Sequence, residues 1–355
     1  MRYRNLFSVL LLVVSAVSQP VLAGEKSLPS PVRNLVLLNW SEYLDPELVA
    51  EFEQAFNVNV REIYYESDDL RDDMLLETEA RGYDLVLVSG ATVNLYLKRH
   101  WLAPLELEQM PNYRHINTHW LTAFPGVQGY AVPYFWGTMG IAYRKDLVDA
   151  PITSWMDILK PGESLRGKIG MIESSRDLMT VALKALGYSA NSTDAAEIKA
   201  AGELLLAQKP YVRSYNYLAL NEESALVSGE IVATMLYNGD ALMVQEYHDS
   251  IEYVLPAEGG NIWADYLVVM DSSRNKDLAW AFINFLNEPE HAAQLAEFVY
   301  YATPNKAAEK LLPAEFLNNP VIYPGKEALA NSEFHTELPP RAVKRMNLVT
   351  SNVLR

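Results

Sequence analysis

The chain has 355 residues, no cysteine, and 29 lysines and arginines against 45 aspartates and glutamates, a formal charge of −16. Half of it is apolar and 21% is charged, the profile of a globular protein long enough for two cores, which excludes disordered, collagenous and coiled-coil chains. The missing cysteines exclude disulfides, thiol nucleophiles, iron–sulfur clusters and thiolate zinc sites. The acid excess argues against nucleic acid as a partner, because phosphate contacts need a surplus of lysine and arginine, and it suits a protein that handles cations.

Residues 1–23 open with Arg2 and Arg4, continue in an apolar core from Leu6 to Val17, and end in Val21-Leu22-Ala23, a small-x-small cleavage signal. That order predicts a secretory signal peptide cut after Ala23 and a periplasmic mature protein, since the apolar run falls short of the roughly 18–20 residues that span a bilayer. Beyond it, β-rich runs alternate with helical patterns. Leu35–Leu38 reads as a strand, and Asp45-Pro46 opens a helix as cap and first residue, with Leu48, Val49, Phe52 and Phe56 on one face. Strands are predicted at 58–64, 84–88, 168–172, 211–215, 231–236, 252–255 and 266–270. Helices are predicted at 70–80, 178–187, 194–208, 222–228, 240–247, 276–287 and 290–299. This alternation predicts doubly wound α/β layers, whose ligands bind beyond the strand ends.

Catalytic motifs are weak. Gly162 to Lys168 fits a phosphate-loop spacing, but Ile169 stands where a hydroxyl should hold magnesium, and a strand follows the loop instead of preceding it. His115 and His119 are four apart without an acidic ligand at helical spacing, which reads as surface loop. The pairs Tyr64-Tyr65 and Tyr300-Tyr301 leave an iron(III)-binding site as the alternative reading. No spacing predicts an enzyme.

Aromatic and acidic residues instead cluster at element ends. Asn39-Trp40-Ser41-Glu42-Tyr43 follows the first strand; Glu173, Ser174, Ser175 and Asp177 follow the 168–172 strand; Tyr237-Asn238-Gly239-Asp240 follows 231–236; Trp263-Ala264-Asp265 precedes 266–270. An aliphatic polyamine needs flat apolar walls for its methylenes, aromatic faces for its ammonium groups, and a carboxylate at each charged end.

At these residues the sequence resembles the periplasmic spermidine/putrescine-binding proteins of polyamine ABC transporters. The resemblance runs over about residues 34–330 through LNWSEYL (38–44), YDLVLVS (83–89), VPYFWGTMGIAY (132–143), TSWMDILKP (153–161), EGGNIWADYLVV (258–269) and YATPNKAA (301–308). It implies an α/β, two-lobed periplasmic binding protein, a type II Venus flytrap with doubly wound sheets and chain crossovers near residues 140, 264 and 304. Lobe 1 would comprise 29–140 plus 265–303 and lobe 2 141–264 plus 304–355, with the ligand cleft between them. The ligand contacts it implies are Trp40, Ser41, Glu42, Tyr43, Ser89, Asp177, Asp240, Trp263, Asp265 and Tyr301. Four positions depart from the family pattern: Tyr237 replaces a tryptophan, Ala91 an aromatic, Ser174 an aspartate with Glu173 beside it as a substitute carboxylate, and His335 a glutamine. A histidine there is expected to titrate near neutral pH and, when charged, to oppose a cation. The resemblance implies no cofactor, no metal, a monomer, and as membrane partner an ABC permease or, as in family members that sense norspermidine or spermidine, a membrane-bound cyclic-di-GMP receptor.

Overall fold

The computed structural model describes residues 32–355, so the leader read at 1–23 lies outside the described part. Strands β1 (Arg33–Asn39), β2 (Val58–Tyr64) and β3 (Leu85–Ser89) run parallel, joined by helices α1 (Pro46–Phe56) and α2 (Asp68–Glu77), and α3 (Gly90–Lys98) follows β3. Helix α1 forms as the sequence predicts. The Asp45 carboxylate accepts from the Glu47 amide, Leu48 and Phe52 are buried, and Asn57 ends the helix in the left-handed region. Helix α2 starts ahead of the predicted Leu70, because the Ser67 hydroxyl caps it by accepting from the Leu70 amide.

Strand β4 (Ala131–Arg144) is 14 residues long and was not anticipated; Pro133, Gly137 and Gly140 interrupt its apolar pattern. Then come α4 (Trp155–Leu159), β5 (Ile169–Gly170), α5 (Ser175–Ala185), α6 (Ala195–Gln208), β6 (Val212–Ser214), α7 (Ala225–Ser228), β7 (Ala233–Tyr237), α8 (Asn238–Gln245) and β8 (Ile251–Val254). The chain continues through β9 (Asn261–Val269), α9 (Lys276–Leu286), α10 (Pro289–Val299), α11 (Ala314–Leu317), β10 (Glu333–Phe334) and α12 (Pro340–Leu354).

The strand order is β2-β1-β3-β9-β4 followed by β7-β5-β6. Strand β4 joins the two wings: up to Thr138 it pairs with β9, and from Met139 onward with β7. In β3, Leu85 and Leu87 enter one apolar cluster, with Phe52, Phe282 and Leu295, while Val86 and Val88 enter another with Leu38 and Tyr266. Both faces of that sheet are therefore buried, as the unbroken DLVLV run implies. In the second wing Ile141, Trp155, Leu178 and Leu205 share a core onto which α12 closes through Ala342, Met346 and Val353.

Candidate functional site

The candidate residues converge where the two wings meet. Trp263 and Asp265 lie inside β9 and not, as expected, in a loop before a strand at 266. There Trp263 pairs with Gly137 of β4, and Asp265 stands directly opposite Ser89 of β3. Gly137 is needed for this approach: a Cβ would come within 2.6 Å of the indole. Trp263 meets Tyr301 edge-on at 4.8 Å between centroids and Tyr237 at 5.9 Å, and Tyr43 meets Tyr301 at 5.6 Å. Trp40 leans on Tyr65 at 4.5 Å. These rings form an aromatic wall around Asp265.

Tyr237 ends β7 and Asp240 lies in the first turn of α8. Asn238 pins that turn to β4, its Oδ1 accepting from the Thr138 amide at 2.9 Å, and its Nδ2 donates to the Val321 carbonyl. Gly239 lets the turn come against Tyr301, whose hydroxyl donates to Asp240 at 2.5 Å. Tyr217, which sequence reasoning missed, donates to the other Asp240 oxygen. Across the wing, Asp177 in the first turn of α5 is 7% exposed, and the Tyr237 hydroxyl donates to it at 3.3 Å. Ser174 caps α5 by accepting from the Asp177 amide.

Three carboxyls, Asp177 buried and Asp240 and Asp265 half-buried, thus share one aromatic site. Burial pushes Asp265 up to about 8, aided by the charge of Asp68 and opposed by Arg71 and the Tyr43 hydroxyl, although Asp265 keeps some solvent contact. Burial raises Asp177 to about 6 and Asp240 to about 6, the latter against two tyrosine donors that favour the ionised form. Trp263 Nε1 is buried without a hydrogen-bond partner in a residue only 9% exposed. Buried polar atoms are normally satisfied, so the indole N–H is a donor left free beside carboxyls whose pKa values burial raises.

Other predicted residues stand at the margin. Ser41 and Glu42 are exposed on the turn after β1, Glu42 in the left-handed region, and Ser89 faces Thr92 at 3.2 Å. Glu173 is exposed and lines a cavity of about 290 Å³ with Ser67, Asp69 and Ser175. Ala91 is half-buried on α3. His335 departs from expectation: burial, with the Arg176 charge, holds it well below the usual imidazole range, and its Nε2 lies 2.9 Å from the Thr180 hydroxyl. It is a neutral hydrogen-bonding group, so the expected repulsion of a cation does not arise. The tyrosines weighed for iron are committed elsewhere, Tyr65 donating to the Leu87 carbonyl and Tyr301 to Asp240, while Tyr64 is exposed.

Two α/β wings joined through β4, with acids and aromatic rings gathered where they meet, match the architecture of flytrap solute-binding proteins. Residues 47–323 match the family described as bacterial extracellular solute-binding protein, and the chain belongs to that family. It is 33% identical over 306 residues to the spermidine/putrescine-binding periplasmic protein of Escherichia coli (strain K12), covering 86% of this chain and 87% of that one. It is 27% identical over 316 residues to the norspermidine sensor of Vibrio cholerae serotype O1, covering 88% and 87%. The solved structure of a putative spermidine/putrescine ABC transporter from Listeria monocytogenes superposes with a TM-score of 0.82 at 30% identity, covering 90% of this chain and 98% of that one. The fold is thus the two-lobed periplasmic binding protein, as the sequence implied.

Proposed function

We propose that this chain is a periplasmic polyamine-binding protein that closes on a di- or triamine of the putrescine, norspermidine or spermidine class without covalent chemistry and delivers it to an inner-membrane ABC permease. The single observation that carries the reading is the ring of Trp263, Tyr301, Tyr43 and Tyr237 around Asp265, with Asp177 and Asp240 in reach of the same rings. Each aromatic face offers a cation roughly 0.5–2 kcal/mol, and each buried carboxylate recovers its desolvation when an ammonium arrives. The names of the relatives support the ligand class and the transport role. The lobes would be 29–140 plus 265–303 and 141–264 plus 304–355, closing about β4 and β9.

The test is calorimetric titration of ligand-stripped protein with putrescine and spermidine, against Asp265→Ala and Trp263→Ala. Each substitution is expected to cost about 2 kcal/mol or more, as truncated interface anchors do. Binding by both variants equal to that of the unaltered protein would show that the site lies elsewhere.

A further inference from the structure

The last helix carries a charge pattern that the amine site does not use. All 45 aspartates and glutamates of this acidic chain lie outside residues 338–355, which hold Arg341, Lys344, Arg345 and Arg355. Helix α12 turns Ala342, Met346 and Val353 onto the core of the second wing. At about 100° per residue, Arg341, Lys344, Arg345, Leu348 and Asn352 share an arc of about 100° away from that packed face, and all five are exposed. Arg355 follows at the end of the helix, exposed as well. Leu348, in the middle of the stripe, is 65% exposed, the most exposed large apolar side chain among the described residues.

The cations of this stripe lack counter-ions. Elsewhere on the surface Arg33 pairs with Asp277, Arg81 with Glu79, Lys145 with Glu252 and Arg213 with Glu230. Among the described residues, none of the four cations in 338–355 enters an ion pair. On α6, against which α12 packs, Glu203 is engaged by Lys199 and Glu197 by the Ser192 hydroxyl. Asp69 and Glu173 approach another flank of α12, where Asn347, Ser351 and Leu354 line the cavity of about 290 Å³. Lys209 adds a further positive charge at the last turn, its Nζ donating to the Asn352 carbonyl at 3.2 Å. Like charges three and four residues apart, as at Arg341, Lys344 and Arg345, repel, and an anionic partner removes that cost.

We propose that this outer face of α12 docks on an anionic phospholipid surface, with Leu348 entering among the headgroups. The partner is anionic because the stripe holds cations and no acid. It is also broad: from Arg341 to Arg355 the stripe runs roughly 21 Å along a convex helix. The cavities of about 290 and 320 Å³ are lined by none of its residues, so it presents a ridge and not a pocket for a small anion. One projecting leucine ringed by lysine and arginine suits a bilayer, which takes the side chain between headgroups while the cations stay with the phosphates. The acid-rich remainder of the molecule is repelled by the same surface, so the protein meets it helix first. This inference does not depend on which solute the cleft holds.

The test is co-sedimentation of the ligand-free chain lacking residues 1–23, whose apolar run would bind lipid by itself. The vesicles are equal parts phosphatidylglycerol and phosphatidylcholine, or phosphatidylcholine alone, at about 0.01 M and about 0.5 M salt. Binding to the phosphatidylglycerol vesicles at low salt is expected, with little on phosphatidylcholine and a sharp loss at high salt. Lys344→Gln combined with Arg345→Gln should weaken binding roughly tenfold or more. Arg81→Gln combined with Arg213→Gln makes the same change in net charge away from α12 and should alter it less than about twofold. Leu348→Ser should weaken binding severalfold with the charge unchanged, and it carries the comparison if thermal unfolding shows the double α12 variant to be misfolded. Equal binding to phosphatidylcholine, equal losses in the two charge pairs, or no effect of the α12 variants would overturn the proposal. So would failure of the unaltered chain to bind phosphatidylglycerol vesicles, the result expected if the face serves an acidic protein segment instead. Amine titration of the same preparation reports separately on the polyamine reading.

Discussion

Polyamine affinity should rise with pH between 5.5 and 8, because the site must shed protons to accept an ammonium. Asp265 sits at about 8, raised first by burial and then by Asp68, with Arg71 and Tyr43 pulling the other way. At pH 7 such a carboxyl is ionised in about one molecule in eleven, so preparing it costs about 1.4 kcal/mol, roughly tenfold in Kd against alkaline pH. Each further unit of acidification costs about another tenfold. From about pH 7 downward Asp177 and Asp240, both raised to about 6, begin to hold protons as well, and by pH 6 each is about half protonated, so the slope steepens. The ligand does not compensate, since alkylammonium groups like that of lysine keep their protons up to about pH 10. The assay is calorimetric titration from pH 5.5 to 8 in two buffers of different protonation enthalpy. Near pH 7 it should record release of close to one proton per ligand bound. A Kd that is flat across this window, or one that rises with pH, would refute the reasoning.

The same carboxyl makes the empty cleft a source of instability. Its folded value lies above its unfolded one, so its contribution favours the fold at low pH and is lost as pH rises from about 4 through 8. Asp265→Asn should therefore stabilise the ligand-free protein at pH 8 by several kcal/mol, with about 5 kcal/mol as the upper limit set by roughly four pK units, while weakening amine binding, read by thermal unfolding with and without ligand; lower stability would contradict the burial argument. Gly239→Ala should do the reverse of fine tuning. Its Cβ would come within 2.6 Å of the Tyr301 ring and 2.7 Å of the Val299 carbonyl, pushing the start of α8 away from Tyr301. A loss of about 1–3 kcal/mol in stability together with weakened amine binding is expected, and unchanged binding would show that the Tyr301–Asp240 contact does not shape the site.

Residues whose role follows from local pattern were legible in the sequence, and those whose role follows from long-range pairing were not. Asp45-Pro46 announced α1, and the DLVLV run announced a strand buried on both faces, because capping and periodicity are local signals. Strand β4 escaped because Pro133, Gly137 and Gly140 break the pattern, although Gly137 is there to admit Trp263. Tyr43, Tyr237 and Trp263, each from a different predicted cluster, lie within one set of ring contacts through Tyr301, since aromatics and acids at element ends carry a chemical signature. Tyr217 left no such signal: it lies in the irregular stretch between β6 and α7, and only the fold brings its hydroxyl to Asp240. His335 was misjudged because a sequence does not show burial, which here keeps the ring neutral.

The central claim is that this cleft is made for an aliphatic chain of ammonium groups. The most direct measurement is thermal unfolding of refolded, ligand-stripped protein with putrescine, cadaverine, norspermidine, spermidine and spermine, beside an amino acid and iron(III) as controls. A bound amine at a hundred times its Kd should stabilise the fold by about 2.7 kcal/mol, a shift readily seen in a chain of this length. The account predicts such a shift with at least one polyamine and none with the controls. No shift with any amine from protein shown to be empty, or a shift with iron(III) alone, would contradict it.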